Sequence, residues 1–167
     1  MDDALLFLPT QNRLFLLVAP HAGHAAMLEL AARLAVRGPL RVLDGGNQFN
    51  VYPVARSIRR RTPHLEAALG AIHLARAFTC YQMLALLQES TPQAVPTLVL
   101  DLLSTFYDQD VALPESRRLL RACLDELQRL SQSAPVVVSA RPPAVLCPER
   151  LPLLDALRQA SDERWEA

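Results

Sequence analysis

The chain has 167 residues, 51% of them hydrophobic and 20% charged, with 17 basic and 17 acidic side chains and a formal net charge of +0. These values suit one globular domain with a buried core, and they exclude wholesale disorder and a uniformly basic nucleic-acid coat. Every basic residue apart from histidine is arginine, so a lysine Schiff base, a lysine general base and a phosphate-loop lysine are all excluded.

The N-terminus, Met1-Asp2-Asp3-Ala4, is acidic where a secretory signal would be basic. The apolar run Leu14-Phe15-Leu16-Leu17-Val18 is too short to cross a bilayer and predicts a strand buried on both faces. A turn follows over residues 19–23. Met27, Leu30, Ala31 and Leu34 then recur at helical spacing until Gly38-Pro39 stops them. Residues 40–43 predict a second strand that ends on Asp44-Gly45-Gly46. A helix with a basic end is expected over 53–61. Thr62-Pro63 reads as the cap and first position of a further short helix through Leu65 and Leu69.

Residues 71–75 predict a third strand. Thr79-Cys80-Tyr81-Gln82 has capping-box spacing and opens a helix carrying Met83, Leu86 and Leu87. Residues 97–100 form the clearest strand pattern, and it ends on Asp101. The long helix of 114–131 places Leu120, Cys123, Leu124, Leu127 and Leu130 on one side. A proline-bounded strand follows at 135–139. The proline-rich tail carries a last amphipathic helix over 153–164, with Trp165 as a residue that docks the tail. Cys80, Cys123 and Cys147 include no CxxC pair, which suits a reducing cytoplasm and excludes a zinc knuckle.

Strand-like runs alternating with helices predict a three-layer α/β/α fold with a mostly parallel sheet. Ligands of such sheets bind at the carboxyl ends of the strands. The segments to inspect are therefore 19–25, 44–49, 76–79, 101–110 and 139–143.

Those segments carry a family resemblance. Leu98-Val99-Leu100-Asp101-Leu102-Leu103-Ser104-Thr105-Phe106-Tyr107 resembles the Walker B strand and turn of the RecA/RadA recombinase family. Ala75-Arg76-Ala77-Phe78, with Gln82 after it, is similar to the family's strand-turn-helix before Walker B. Leu43-Asp44-Gly45-Gly46-Asn47-Gln48-Phe49 resembles the segment that carries the family's catalytic glutamate. Residues 124–139 resemble its long helix and next strand. The resemblance implies one RecA-like P-loop NTPase domain over 1–167. Its core would be 14–141, its tail 142–167, and its sheet truncated relative to the family.

The departures fall on the catalytic positions. Residues 18–25 have the length of the phosphate loop, and Gly23 stands at its second glycine. Val18 stands for the first glycine, His24 for the lysine and Ala25 for the magnesium-binding hydroxyl. Gly46 stands for the glutamate, and Ala140-Arg141 for the polar sensor. Phosphoryl transfer depends on positioning and charge stabilisation by those groups, so no catalytic residue is expected. The relic nucleotide site would comprise Ala22, Gly23, His24, Ala25 and Asp101. No resident cofactor is expected; ATP with magnesium is the one to consider.

The resemblance implies a catalytically inactive accessory or structural partner in DNA recombination and repair. Its protein partner would be a recombinase, a paralogue or a second copy, with DNA as a further partner and no membrane. One alternative is a nucleotide-binding regulator without efficient hydrolysis. Another is an unrelated α/β enzyme using His21, His24, Asp44 and Asp101. His21 and His24 lack a third ligand, so no metal site is expected.

Arg59-Arg60-Arg61 is the strongest basic run. It suits binding to phosphates as well as a solvated helix C-terminus, where cations interact favourably with the dipole. Arg117, Arg118 and Arg121 lie beside the family's first DNA loop, with Asp108, Asp110 and Glu115 near enough in sequence to pair with them. Cys80 starts a helix but has no histidine base, so a buried inert thiol is expected.

Overall fold

The computed structural model describes residues 9–167, so the acidic segment Met1 to Ala4 lies outside the described residues. Strand β1, Leu14–Val18, is buried along its whole length, as are β4, Thr97–Leu100, and β5, Val136–Ala140. Their near-continuous apolar sequence matches that position, because a parallel strand covered on both faces has no solvent side. With β2, Leu40–Asp44, β3, Ile72–Arg76, and β6, Glu163–Glu166, they form one sheet in the order β3-β2-β4-β5-β1-β6. Every neighbouring pair is parallel.

Alternation along β1 shows how the layers form. Leu14, Leu16 and Val18 join the core under α4, Cys80–Glu89, α5, Leu113–Ser131, and α6, Leu151–Ala160. Phe15 and Leu17 point the other way, into the core under α1, His24–Ala35, α2, Val51–Arg59, and α3, Leu65–Gly70. Each fully buried leucine or phenylalanine contributes roughly 1.5–3 kcal/mol, so the two cores together hold the layers. The fold is α/β in three layers, consistent with the RecA-like type. Its sheet is parallel throughout rather than mostly so. Among the described residues no helix is long and apolar enough to cross a membrane.

Local chemistry sets the helix starts. The Thr79 side chain accepts from the Gln82 N–H at 3.1 Å, and the Gln82 side chain accepts from the Phe78 N–H at 2.8 Å. The box thus closes one residue earlier than a capping box does. Thr62 does not cap α3. Its hydroxyl accepts from the His64 N–H at 3.2 Å within a bend, and the helix begins at Leu65.

The tail differs most from expectation. The last helix ends at Ala160, and Glu163–Glu166 runs as a sixth strand beside β1. The Trp165 ring stacks on Phe15 at 5.4 Å between centroids, and Glu163 and Glu166 pair with Arg13 and Arg158. Half-buried residues (Glu163, Trp165) alternate with exposed ones (Arg164, Glu166) here, so period-2 burial at a polar edge prevails over the apolar helical period that precedes it.

Candidate functional site

The carboxyl ends of β2 and β4 lie side by side in the sheet and carry the buried acids Asp44 and Asp101. Asp101 is 0% exposed and adopts a left-handed conformation, φ 49°, that directs the chain into a short 3₁₀ turn, Leu102–Phe106. Its N–H donates to the Ser139 hydroxyl at 3.0 Å. Its Oδ2 receives the Gln48 amide at 3.4 Å and pairs with the Arg141 guanidinium at 3.4 Å, while its Oδ1 is buried with no partner. Burial pushes this carboxyl above its ordinary range. Arg141 pulls it back, and the Asp44 charge adds to the push. Arg141 is itself tied down. It reaches the Ser104 hydroxyl at 3.4 Å, and its carbonyl accepts from the Tyr107 hydroxyl at 2.7 Å. Burial, then the Asp101 charge, raise the Tyr107 hydroxyl, which stays protonated as that donor.

Gly45 and Gly46 pass directly against Asp101. A Cβ at Gly46 would lie 2.8 Å from both the Cβ and Oδ2 of Asp101, and one at Gly45 would lie 2.9 Å from its carbonyl oxygen. The aspartate thus fills the space that any side chain at Gly46 would need.

Asp44 is satisfied differently. Its two oxygens accept from the N–H groups of Gln48 and Phe49 at 2.9 and 2.8 Å, and Arg76 approaches at 3.3 Å. Arg76 also holds the Phe49 carbonyl at 2.9 Å. Asp44 is thus an Asx-type anchor for residues 45–50. Beyond it an open groove of about 800 Å³ runs along the β3 edge, lined by His24, Asn47, Phe49, Leu69, Leu74 and Arg76 among others.

The turn after β1 has phosphate-loop length but a closed backbone. His21, Ala22 and Gly23 are successive left-handed residues, φ 52°, 53° and 58°. The Ala22 N–H is used by the Ala19 carbonyl at 3.0 Å, and the His24 N–H by the His21 carbonyl. Ala22 is fully buried. A Cβ on Gly23 would collide with the Leu17 side chain, which requires glycine there apart from its φ.

The expected site residues fall into separate places. Ala22, Gly23, His24 and Ala25 form the β1 turn and the start of α1. No hydrogen bond joins His21 or His24 to Asp44 or Asp101, and among the described residues no three His, Cys, Asp or Glu side chains gather as a metal set. Arg59, Arg60 and Arg61 are exposed at the end of α2, and Arg61 pairs with Glu29. Arg117 and Arg118 are exposed on α5, and Arg118 pairs with Glu115 at 2.6 Å. Burial raises the Cys80 thiol, the opposite of nucleophile activation.

The sequence reading missed Gln48, Ser139 and Arg150. Arg150 is 4% exposed and faces no carboxylate. It donates to the carbonyls of Phe106 at 3.1 Å and Val111 at 2.8 Å and to the Ser116 hydroxyl at 2.9 Å, and its Nε has no partner. Only the proline-flanked position of Arg150 marked it in sequence, which says nothing of burial. No protein-family model matches the chain, and no curated protein matches it.

Proposed function

We propose that this chain is a RecA/RadA-like protein without ATP turnover, acting in the cytoplasm as an accessory or structural partner in DNA recombination or repair. The observation that carries the reading is the Asp101 locus. An arginine of the chain itself pairs with the strand-end aspartate, and Gly46, which the resemblance matches to the catalytic glutamate, packs against that aspartate. Nucleotide with magnesium does not fit this set. Two amides of the β1 turn are spent within the turn, His24 and Ala25 offer neither lysine nor hydroxyl, and Arg141 already supplies positive charge to Asp101. Chemistry of phosphoryl transfer rests on those groups together, so the loss of several removes it.

The resemblance of four ordered segments, joined to an all-parallel sheet of the RecA-like type, supports the family reading. A protein of this fold without turnover retains surfaces for assembly, so its partner is a recombinase, a paralogue or a second copy. Purified protein with millimolar ATP and magnesium is expected to release no phosphate and no binding heat. Robust turnover would overturn the reading. Heat without turnover would favour a nucleotide-binding regulator. Copurification with a RecA-type recombinase from the native organism would establish the accessory role.

A further inference from the structure

The two edges of the sheet are finished differently. On one side β6 is mostly charged, and its Glu163 and Glu166 are held by Arg13 and Arg158. On the other side β3, Ile72-His73-Leu74-Ala75-Arg76, pairs with β2 alone among the described residues. An edge strand leaves a row of N–H and C=O groups without partners, and proteins blunt such rows with charge, proline, a bulge or a covering element. β3 has no proline, its arginine stands at its last position, and Leu74 in its middle is 38% exposed.

The groove of about 800 Å³ runs beside this unguarded edge, and Leu69, Ile72 and Leu74 give it an apolar lining. From Ile72 to Arg76 the edge measures about 13 Å at ~3.3 Å per residue, which matches a segment of about five residues in extended conformation. Side chains of such a segment alternate, so every second one meets the groove. The wall formed by residues 45–50 is fixed in advance, because Asp44 accepts from the Gln48 and Phe49 N–H groups at 2.9 and 2.8 Å.

The Arg76 end of the groove offers donors and no competing acid. No acidic side chain lines the groove. Arg76 gives its Nε to Asp44 and one terminal nitrogen to the Phe49 carbonyl, while its other terminal nitrogen donates to nothing among the described residues. The side chains of His24 and Asn47 line the same groove and make no hydrogen bond there. Every neighbouring pair in the sheet is parallel. A peptide that joins in the same sense therefore runs as β3 does and finishes beside Arg76. A chain that stops there brings a carboxylate, which makes stronger, charge-assisted hydrogen bonds to such donors. A chain that continues brings only a neutral amide.

We propose that the β3 edge and its groove bind the extended C-terminal segment of a partner protein as a further parallel strand. Aliphatic side chains at alternate positions would lie over Leu69, Ile72 and Leu74, and the terminal carboxylate would be held by Arg76, His24 and Asn47. Main-chain hydrogen bonds supply affinity in this mode, and the pockets for alternate side chains supply specificity. The site stands on the edge and the groove alone. A failed peptide titration leaves the Asp101 locus as it is, and ATP turnover leaves the peptide site as it is.

The probe is an N-terminally labelled peptide ending in Leu-Thr-Val-Thr-Leu, made once with a free carboxylate and once as the amide. Fluorescence anisotropy with the full chain is expected to show saturable binding of the free form. The amide should bind about tenfold more weakly, since it loses a hydrogen bond to a charged group. Leu74→Ser, at a half-exposed position, should weaken both forms about tenfold by removing apolar contact, with far-ultraviolet circular dichroism to show that the sheet is kept. Asn47 has a φ of 53°, a conformation that aspartate also tolerates. Asn47→Asp should therefore keep the turn, weaken the free form about tenfold by like-charge repulsion and leave the amide nearly unchanged. Val145→Ser, at an exposed position on the loop before α6, should leave both forms unchanged. No binding of either form at about 1 mM overturns the proposal. Equal binding of the two forms overturns it as well, because the edge would then take an internal strand. Displacement of the peptide by ATP would make the groove a nucleotide site and overturn it equally.

Discussion

Two regions of the molecule treat the same residue type in opposite ways. Toward the strand carboxyl ends, Arg76, Arg141 and Arg150 are each fixed by several partners, and one of them is buried. At the far corner, Arg37, Arg56, Arg59 and Arg60 have none among the described residues. Local partners decide which arginines are held: Arg61 meets Glu29 beside that corner, while its neighbours Arg59 and Arg60 meet no acid.

Arg150 offers the sharpest way to break the comparison. Leucine there would orphan the Phe106 and Val111 carbonyls and the Ser116 hydroxyl. At roughly 1–3 kcal/mol per buried unsatisfied group, Arg150→Leu is expected to cost about 3 kcal/mol or more. Urea denaturation followed by far-ultraviolet circular dichroism measures it. A loss below about 0.5 kcal/mol, the range of surface substitutions, would mean that the buried cation is not holding the 106–111 segment.

Gly46→Glu asks whether a carboxylate at this position brings catalysis. The new Cβ would lie 2.8 Å from Asp101 Cβ and Oδ2, and overpacking of this kind costs about 1–3 kcal/mol. The variant is expected to be less stable in the same denaturation experiment and to release no phosphate from ATP. A stable variant with turnover would show that the glutamate alone was missing.

Much of the fold was legible because each layer has its own period. The apolar runs at 14–18, 97–100 and 136–138 read as covered strands, and the long helix declared itself through Leu120, Leu124 and Leu127. What stayed hidden was whatever depends on the third dimension. Glu163-Arg164-Trp165-Glu166 looks like the end of a charged helix until β1 lies beside it. Gly46 read as an absence, whereas its meaning is the distance to Asp101. Arg141 read as a lost sensor, and Arg59-Arg60-Arg61 read as one run. Their partners, Asp101 and Glu29, lie 40 and 32 positions away in sequence.

Asp101 supplies a test in pH. Its folded-state pKa is raised, chiefly by burial. The ionised form is therefore disfavoured in the folded state, and the associated stability is present at low pH and lost as pH rises through the raised value. Asp101→Asn removes that loss, although it also gives up the charge on Arg141, because burial outweighs Arg141 in the balance. The variant is expected to melt above the wild type at neutral pH, with the gap closing as pH falls below the ordinary aspartate value of 3.8. Thermal melts across pH measure this. A variant less stable than the wild type at neutral pH would mean that the Arg141 pair outweighs burial, and the site would then be an ion pair that holds the fold rather than a strained relic.

The smallest effect belongs to the far corner, and its smallness is informative. Arg56, Arg59 and Arg60 touch no carboxylate and bury no polar group, so replacing them with alanine removes only mutual repulsion and a share of dipole attraction. These nearly cancel, and the change in stability is expected to stay within about 0.5 kcal/mol. Alanine also forms helix more readily than arginine, which pushes the balance slightly toward stabilisation. A loss of more than about 1 kcal/mol in urea would place the corner among the structural arginines and erase the contrast between the two ends. A near-neutral result leaves three exposed cations with no role in folding.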